Sequence, residues 1–107
     1  MTLRKTLLSA LLLSFALAGN VFAETAKEKF SRAYQYYEQQ NYQAAFPIFK
    51  ELAEQGNAKA QAVLGLMYIL GQGVRQNDAS AKMWIGKACD NGEQKACDFY
   101  HKLNEGK

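Results

Sequence analysis

The chain has 107 residues, with 13 Lys and Arg against 10 Asp and Glu, for a formal net charge of +3. Arg4 and Lys5 fall in the first 23 residues, so the remainder sets eleven basic side chains against ten acidic ones, alternating in sign and with no basic block interleaved with aromatics. That excludes the electrostatic footprint of a nucleic-acid binder or of a protein held on an acidic membrane surface.

The first segment, "MTLRKTLLSALLLSFALAGNVFA", has a basic start, an apolar run from Leu7 to about Ala18, and small residues at Val21 and Ala23. This pattern predicts a secretory signal peptide over residues 1–23, cut before Glu24. The apolar run is short of the roughly 20 residues that cross a bilayer, and no cysteine follows the cut to carry a lipid. The expectation is an exported, soluble chain, periplasmic or secreted, with no integral membrane segment. Residues 24–107 make one small domain, marginal if it rests on its apolar core alone. Small exported domains often add a covalent staple, and Cys89 and Cys97, the only two cysteines, both lie here.

Every later segment reads as helix, because Pro occurs once and Ala, Gln, Glu, Lys and Leu dominate. Thr25 with Glu28 forms a capping box opening the first helix, whose Phe30, Ala33, Tyr34 and Tyr37 fall on one apolar face. Asn41 breaks the run and is placed to cap the second helix, which carries Ala45, Ile48, Phe49 and Leu52 on a stripe and ends at Gly56. Pro47 removes a backbone donor inside it, so a kink or a later start is expected. The third helix follows Asn57, with Ala60, Leu64, Met67 and Tyr68 inward, and "GQGV" from Gly71 to Val74 stops it. Asn77 or Asp78 caps the fourth, with Ala81, Trp84, Ile85 and Ala88 inward and Gly92 at its end. A last helix runs from about Glu93 to Leu103.

"LAEQGNAKAQ" from Leu52 and "KACDNGEQKAC" from Lys87 align when Gly56 is set on Gly92, an offset of 36 residues. Glu54 then meets Asp90, Lys59 meets Lys95, and Ala53 and Gln61 meet Cys89 and Cys97. A helical hairpin has two apolar faces and one partner within its own unit, so stacking a second unit buries the leftover face.

Within residues 56–92, Ala60, Leu64, Gly65, Tyr68, Gly71, Gly73, Val74, Asp78, Ala81, Trp84, Lys87, Ala88 and Gly92 stand in the order and spacing of the Sel1-like repeat, a relative of the tetratricopeptide repeat, which this stretch resembles. Cys89 replaces that pattern's second Ala. Residues 26–56 resemble a shorter tetratricopeptide-like unit without the Gly-x-Gly-Val loop. Residues 93–104 resemble the first helix of a further repeat, used as a cap, with Tyr100-His101 in place of Leu64-Gly65; 105–107 form a tail. The resemblance implies an all-α fold: a short solenoid of antiparallel helical hairpins, with repeat one at about 26–56, repeat two at about 57–92 and a capping helix at 93–104.

The Cys-x7-Cys pair resembles that of the cysteine-rich Sel1-like proteins secreted by Helicobacter, and this implies a bridge between Cys89 and Cys97. A tight turn between antiparallel helices can bring such positions within reach. The alternatives are a metal site, which wants more ligands than His101 adds, and a redox dithiol, which usually reads Cys-x-x-Cys.

Some of that group are described as binding or hydrolysing β-lactams. The serine chemistry would need Ser-x-x-Lys with its companion motifs, whereas Ser31 precedes "RAY" and Ser80 precedes "AKM". "GQGV" lacks the Lys-Ser/Thr of a phosphate loop, and Glu51 with Glu54 reads as a solvated face. No catalytic residue, cofactor or metal is therefore expected. The candidate binding surface is the stripe Lys29, Arg32, Tyr36 and Gln40 on the first helix, where an exposed tyrosine beside basic residues has an interface composition. In tetratricopeptide-like stacks the first helix of each pair lines the partner groove. The resemblance thus implies a non-catalytic adaptor for a protein or peptide in the bacterial envelope or at a host interface. An inhibitor or immunity-type protein is the alternative, a β-lactam-interacting protein a weaker one, and self-association a further mode.

Overall fold

A computed structural model of the protein describes residues 24–106, so the expected signal peptide lies outside the described residues. They fold as five helices of nearly equal length: α1 (Ala26–Glu38), α2 (Tyr42–Glu54), α3 (Ala58–Leu70), α4 (Asp78–Asp90) and α5 (Gln94–Glu105). Each packs on its neighbours in the chain, most extensively α3 on α4. The architecture is all-α and repeat-like. No helix among the described residues is long and apolar enough to cross a membrane.

The caps set the starts. Thr25 Oγ1 accepts from the Glu28 amide at 3.1 Å, Asn57 Oδ1 from the Ala60 amide at 3.0 Å, and Asn77 Oδ1 from the Ser80 amide at 2.9 Å. Each satisfies one amide of the first turn that has no partner inside the helix. The Thr25 box is only half of the reciprocal pattern, since the Glu28 carboxylate takes the Thr25 hydroxyl at 3.0 Å. Asn41 occupies the cap position of α2 without a side-chain hydrogen bond. Pro47 sits inside a helix that nonetheless runs unbroken from Tyr42 to Glu54.

Three of the turns are copies of one another. At the α1–α2, α2–α3 and α4–α5 turns the amides of Asn41, Asn57 and Glu93 reach back to the carbonyls of Tyr36, Leu52 and Ala88 at 2.8–3.0 Å. The residue before each has positive φ: Gly56 at 95°, Gly92 at 98°, and Gln40 at 61°. This is the Schellman arrangement, which glycine adopts at no steric cost. Gln40 pays about 1–2 kcal/mol for the same backbone. Part of that returns as the greater freedom of an unfolded glycine, so Gln40→Gly is expected to stabilise by about 0.5–1 kcal/mol in urea melts.

The main core joins Ala33 of α1, Ala45, Phe49 and Leu52 of α2, Ala60, Leu64 and Met67 of α3, and Trp84 of α4. A smaller one under α5 has only Ile85, Ala88 and Ala96 buried, with Cys89, Phe99, Tyr100 and Leu103 packed around them. The Cys89–Cys97 disulfide, with Cα atoms 4.5 Å apart, fastens α5 to α4 beside this smaller core. Ala81, Trp84, Ile85 and Ala88 are all buried, as the period of α4 predicts.

Gly65 lets α3 and α4 touch: a Cβ there would overlap Ile85 Cγ1 and lie 3.1 Å from the Ala81 carbonyl oxygen. Between α4 and α5 the roles reverse, and Gly86 makes room for the Tyr100 ring, 3.1 Å from where its Cβ would be. That is why the cap does without the Leu-Gly pair. The cap has the expected length and is shifted by one residue, running from Gln94 to Glu105. Its outward residues Asp98, His101, Lys102 and Glu105 are all exposed, a polar finish of the kind that ends a stack of repeats.

The "GQGV" loop docks on the first hairpin. Tyr37 Oη donates to Gln72 Oε1 at 2.8 Å. Gly73, at φ 72°, lies so close to the Tyr42 carbonyl that a Cβ would overlap its oxygen. The loop therefore ties the α3–α4 connection to the α1–α2 turn.

Candidate functional site

The structure spreads the stripe Lys29, Arg32, Tyr36 and Gln40 over different surroundings. Lys29 Nζ pairs with Glu51 Oε1 of α2 at 2.9 Å. Arg32 grips Glu24 with two hydrogen bonds, Nη2 to Oε1 at 2.9 Å and Nε to Oε2 at 3.2 Å. That guanidinium holds the Glu24 carboxyl below its ordinary range, chiefly through the hydrogen bond. The stabilisation is present above the unfolded carboxylate pKa and is lost as pH falls through the depressed value. Both groups are open to solvent, so salt screens the pair. Gln40 lies in the turn, in a polar hollow with Asn41 and Gly73.

Tyr36, expected exposed, is half-buried against the main core, and Tyr34, expected inward, is 45% exposed. The reason is the centre of the buried arc. Ala33 is fully buried and marks the line of closest approach to α2. At 3.6 residues per turn Tyr36 stands about 60° from it and Tyr34 about 100° on the other side. Tyr34 ends at the margin, stacked between Phe30 at 6.3 Å and Tyr37 at 6.4 Å.

The repeat-motif residues sit in the framework. Ala60, Leu64, Gly65, Ala81, Trp84 and Ala88 are buried, Tyr68 is half-buried against Phe46 in an edge contact at 5.6 Å, and Gly71, Gly73 and Val74 form the docked loop. Asp78 is the exposed first residue of α4, and Gly92 the positive-φ residue of its last turn.

Gln61 is the one buried polar side chain among the described residues, 3% exposed. Its Nε2 donates to the Ala53 carbonyl at 3.0 Å, and its Oε1 accepts from Asn91 Nδ2 at 2.9 Å. Positions 53 and 61 are the counterparts of Cys89 and Cys97, so a hydrogen bond holds the first turn where a covalent bridge holds the second. Replacing Gln61 by Ala removes both bonds and leaves a void, and is expected to cost about 1–3 kcal/mol in chemical denaturation.

An open apolar trough runs across α1, α3 and α5. One hollow, of about 210 Å³, is lined by Ala62, Leu66, Ile85, Ala96 and Phe99 with Lys95 at its edge. A second, of about 300 Å³, shares Ala62, Leu66 and Lys95 with it and adds Phe30, Val63, Lys59 and Glu93. Leu66 is 39% exposed, and Leu70, one turn on, 61%. The stripe reading missed this surface, although a signal was present. The helix "AKAQAVLGLMYIL" carries apolar residues outside its inward stripe, at Ala62, Val63, Leu66, Ile69 and Leu70, and a helix that is apolar nearly all round wants more than one covered face.

No group of three or more His, Cys, Asp or Glu among the described residues is placed to hold a metal ion. No protein-family model matches the chain.

Proposed function

We propose that the protein is a non-catalytic protein-interaction module related to Sel1-like and tetratricopeptide repeats, exported through its N-terminal segment, which binds a protein or peptide partner and serves as an adaptor. The observation that carries this reading is the trough. Its aliphatic and aromatic floor lies open across three non-consecutive helices, while the outward face of α5 is polar. Exposed apolar surface that is continuous and rimmed by charge is the mark of an interaction site. The repeat frame supports the reading further, since each unit adds one helix to the same face.

The test compares affinity captures from an envelope extract of the producing organism, using the native protein, a trough variant (Leu66→Asp with Phe99→Ala) and a stripe variant (Arg32→Glu with Tyr36→Ala). Far-UV circular dichroism checks that each is folded. The expected result is a partner retained by the native and stripe proteins, lost by the trough variant, and reproduced with the purified pair by calorimetry. Retention of every partner by the trough variant would rule out this surface. Export is read separately: the mass of the secreted species should correspond to a chain beginning at Glu24.

A further inference from the structure

Resting on that reading, we infer that the trough takes an acidic amphipathic segment, whose apolar side chains fill the two hollows while its carboxylates meet Lys59 and Lys95.

Size sets the apolar half of the match. An engineered apolar cavity of about 150 Å³ holds a benzene molecule, so a hollow of about 210 Å³ accommodates one leucyl or phenyl group. The adjoining hollow shares three lining residues with it, so two anchors on one short segment lie in a continuous track. One turn of helix spaces such anchors at i and i+3 or i+4.

The charged half comes from the repeat. Lys27, Lys59 and Lys95 are each the second residue of α1, α3 and α5. Lys59 and Lys95 are one repeat offset apart and both line the trough. Neither is in an ion pair among the described residues. Lysine is the unfavoured sign in the first turn of a helix, where the backbone dipole presents its positive end. The positions therefore carry an internal cost with no internal partner. Glu93 is the one carboxylate in the lining, against the two lysines. The edge stays cationic, with the apolar floor at Leu66 and Phe99 one to two turns further along the same helices. A segment with leucines on one face and glutamates beside them satisfies both halves, whereas a basic segment would meet like charge at this edge.

The probes are two labelled synthetic helical peptides with the same leucine spacing, one with glutamate and one with lysine at every polar position. They are titrated by fluorescence anisotropy against the protein produced from its full sequence and kept oxidised. The glutamate peptide is expected to bind at least about tenfold more tightly at low salt, a difference of about 1.4 kcal/mol, and to lose that margin as salt screens the edge. Lys59→Glu with Lys95→Glu, both at exposed positions, should invert the preference, and Leu66→Asp should abolish binding of either peptide. Equal binding of both peptides, each displaced by Leu66→Asp, would overturn the acidic-segment inference and leave the interaction reading standing. Binding of neither would overturn the acidic-segment inference, while the captures with the trough variant decide the interaction reading. A dimer seen by light scattering and dissolved by Leu66→Asp would give the trough to a second copy of the chain, and would also overturn the inference.

Discussion

Replacing Cys89 and Cys97 together by serine is expected to lower the unfolding free energy by about 2–3 kcal/mol. The bridge closes a loop eight residues apart in sequence, and the chain-entropy estimate for a loop of that length gives this range. The effect is large for its place in the molecule, because the core beneath α5 has only three buried residues, two of them alanines. It should also be uneven. Amide exchange should rise across α5 and the last turn of α4 well before it rises in α2, whose contacts belong to the larger core. Urea denaturation of the serine pair, and of the native protein under reductant, should give matching shifts. A loss below about 0.5 kcal/mol in both would show that packing alone holds the cap. The same variants should bind trough ligands more weakly, since Lys95, Ala96 and Phe99 ride on the fastened helix.

Gly73→Ala is expected to cost about 2–4 kcal/mol, and Gly71→Ala close to 1. Both glycines have positive φ, so each alanine bears the left-handed penalty of about 1–2 kcal/mol. The difference is space. At Gly71 the nearest atom to a new Cβ is 3.6 Å away, an ordinary contact, whereas at Gly73 the Cβ would overlap the Tyr42 carbonyl, with the carbonyl carbon at 2.7 Å. The obstacle is backbone at the start of α2, not a side chain that can swing aside. Overpacking against it adds about 1–3 kcal/mol or forces the loop off the first hairpin, breaking the Tyr37–Gln72 hydrogen bond. Equal losses for the two variants would mean that the loop does not need its seat on Tyr42.

Much of the helical frame was legible because the chain states it locally. Asn57 and Asn77 announce α3 and α4 through side chains that reach the third amide of each helix. The periods of Ala60–Leu64–Met67 and Ala81–Ile85–Ala88 point at the buried faces. These signals depend on residues three or four apart. The facing of α1 does not, because its centre is Ala33, a residue too small to weigh in an apolar count, and Tyr34 therefore reads as inward. Lys29 reads as open because its partner Glu51 is 22 residues away on another helix. The trough was harder still, because it exists only where Phe30, Leu66 and Phe99 come together from helices that are not adjacent in the chain. The lysine ladder that borders it is visible in the repeat offset once that face is known.

Gln61 gives the molecule a mechanical property. Its amide group touches the α2–α3 turn through Ala53 and the α4–α5 turn through Asn91, so two joints at the same end of the stack share one clasp. Strain that opens the α2–α3 joint breaks the bond to Ala53 and so loosens the same side chain's hold on Asn91, while the disulfide continues to fasten α5. The two joints are therefore coupled through one side chain, and Gln61→Ala should raise amide exchange at both Asn57 and Glu93 although 36 residues separate them.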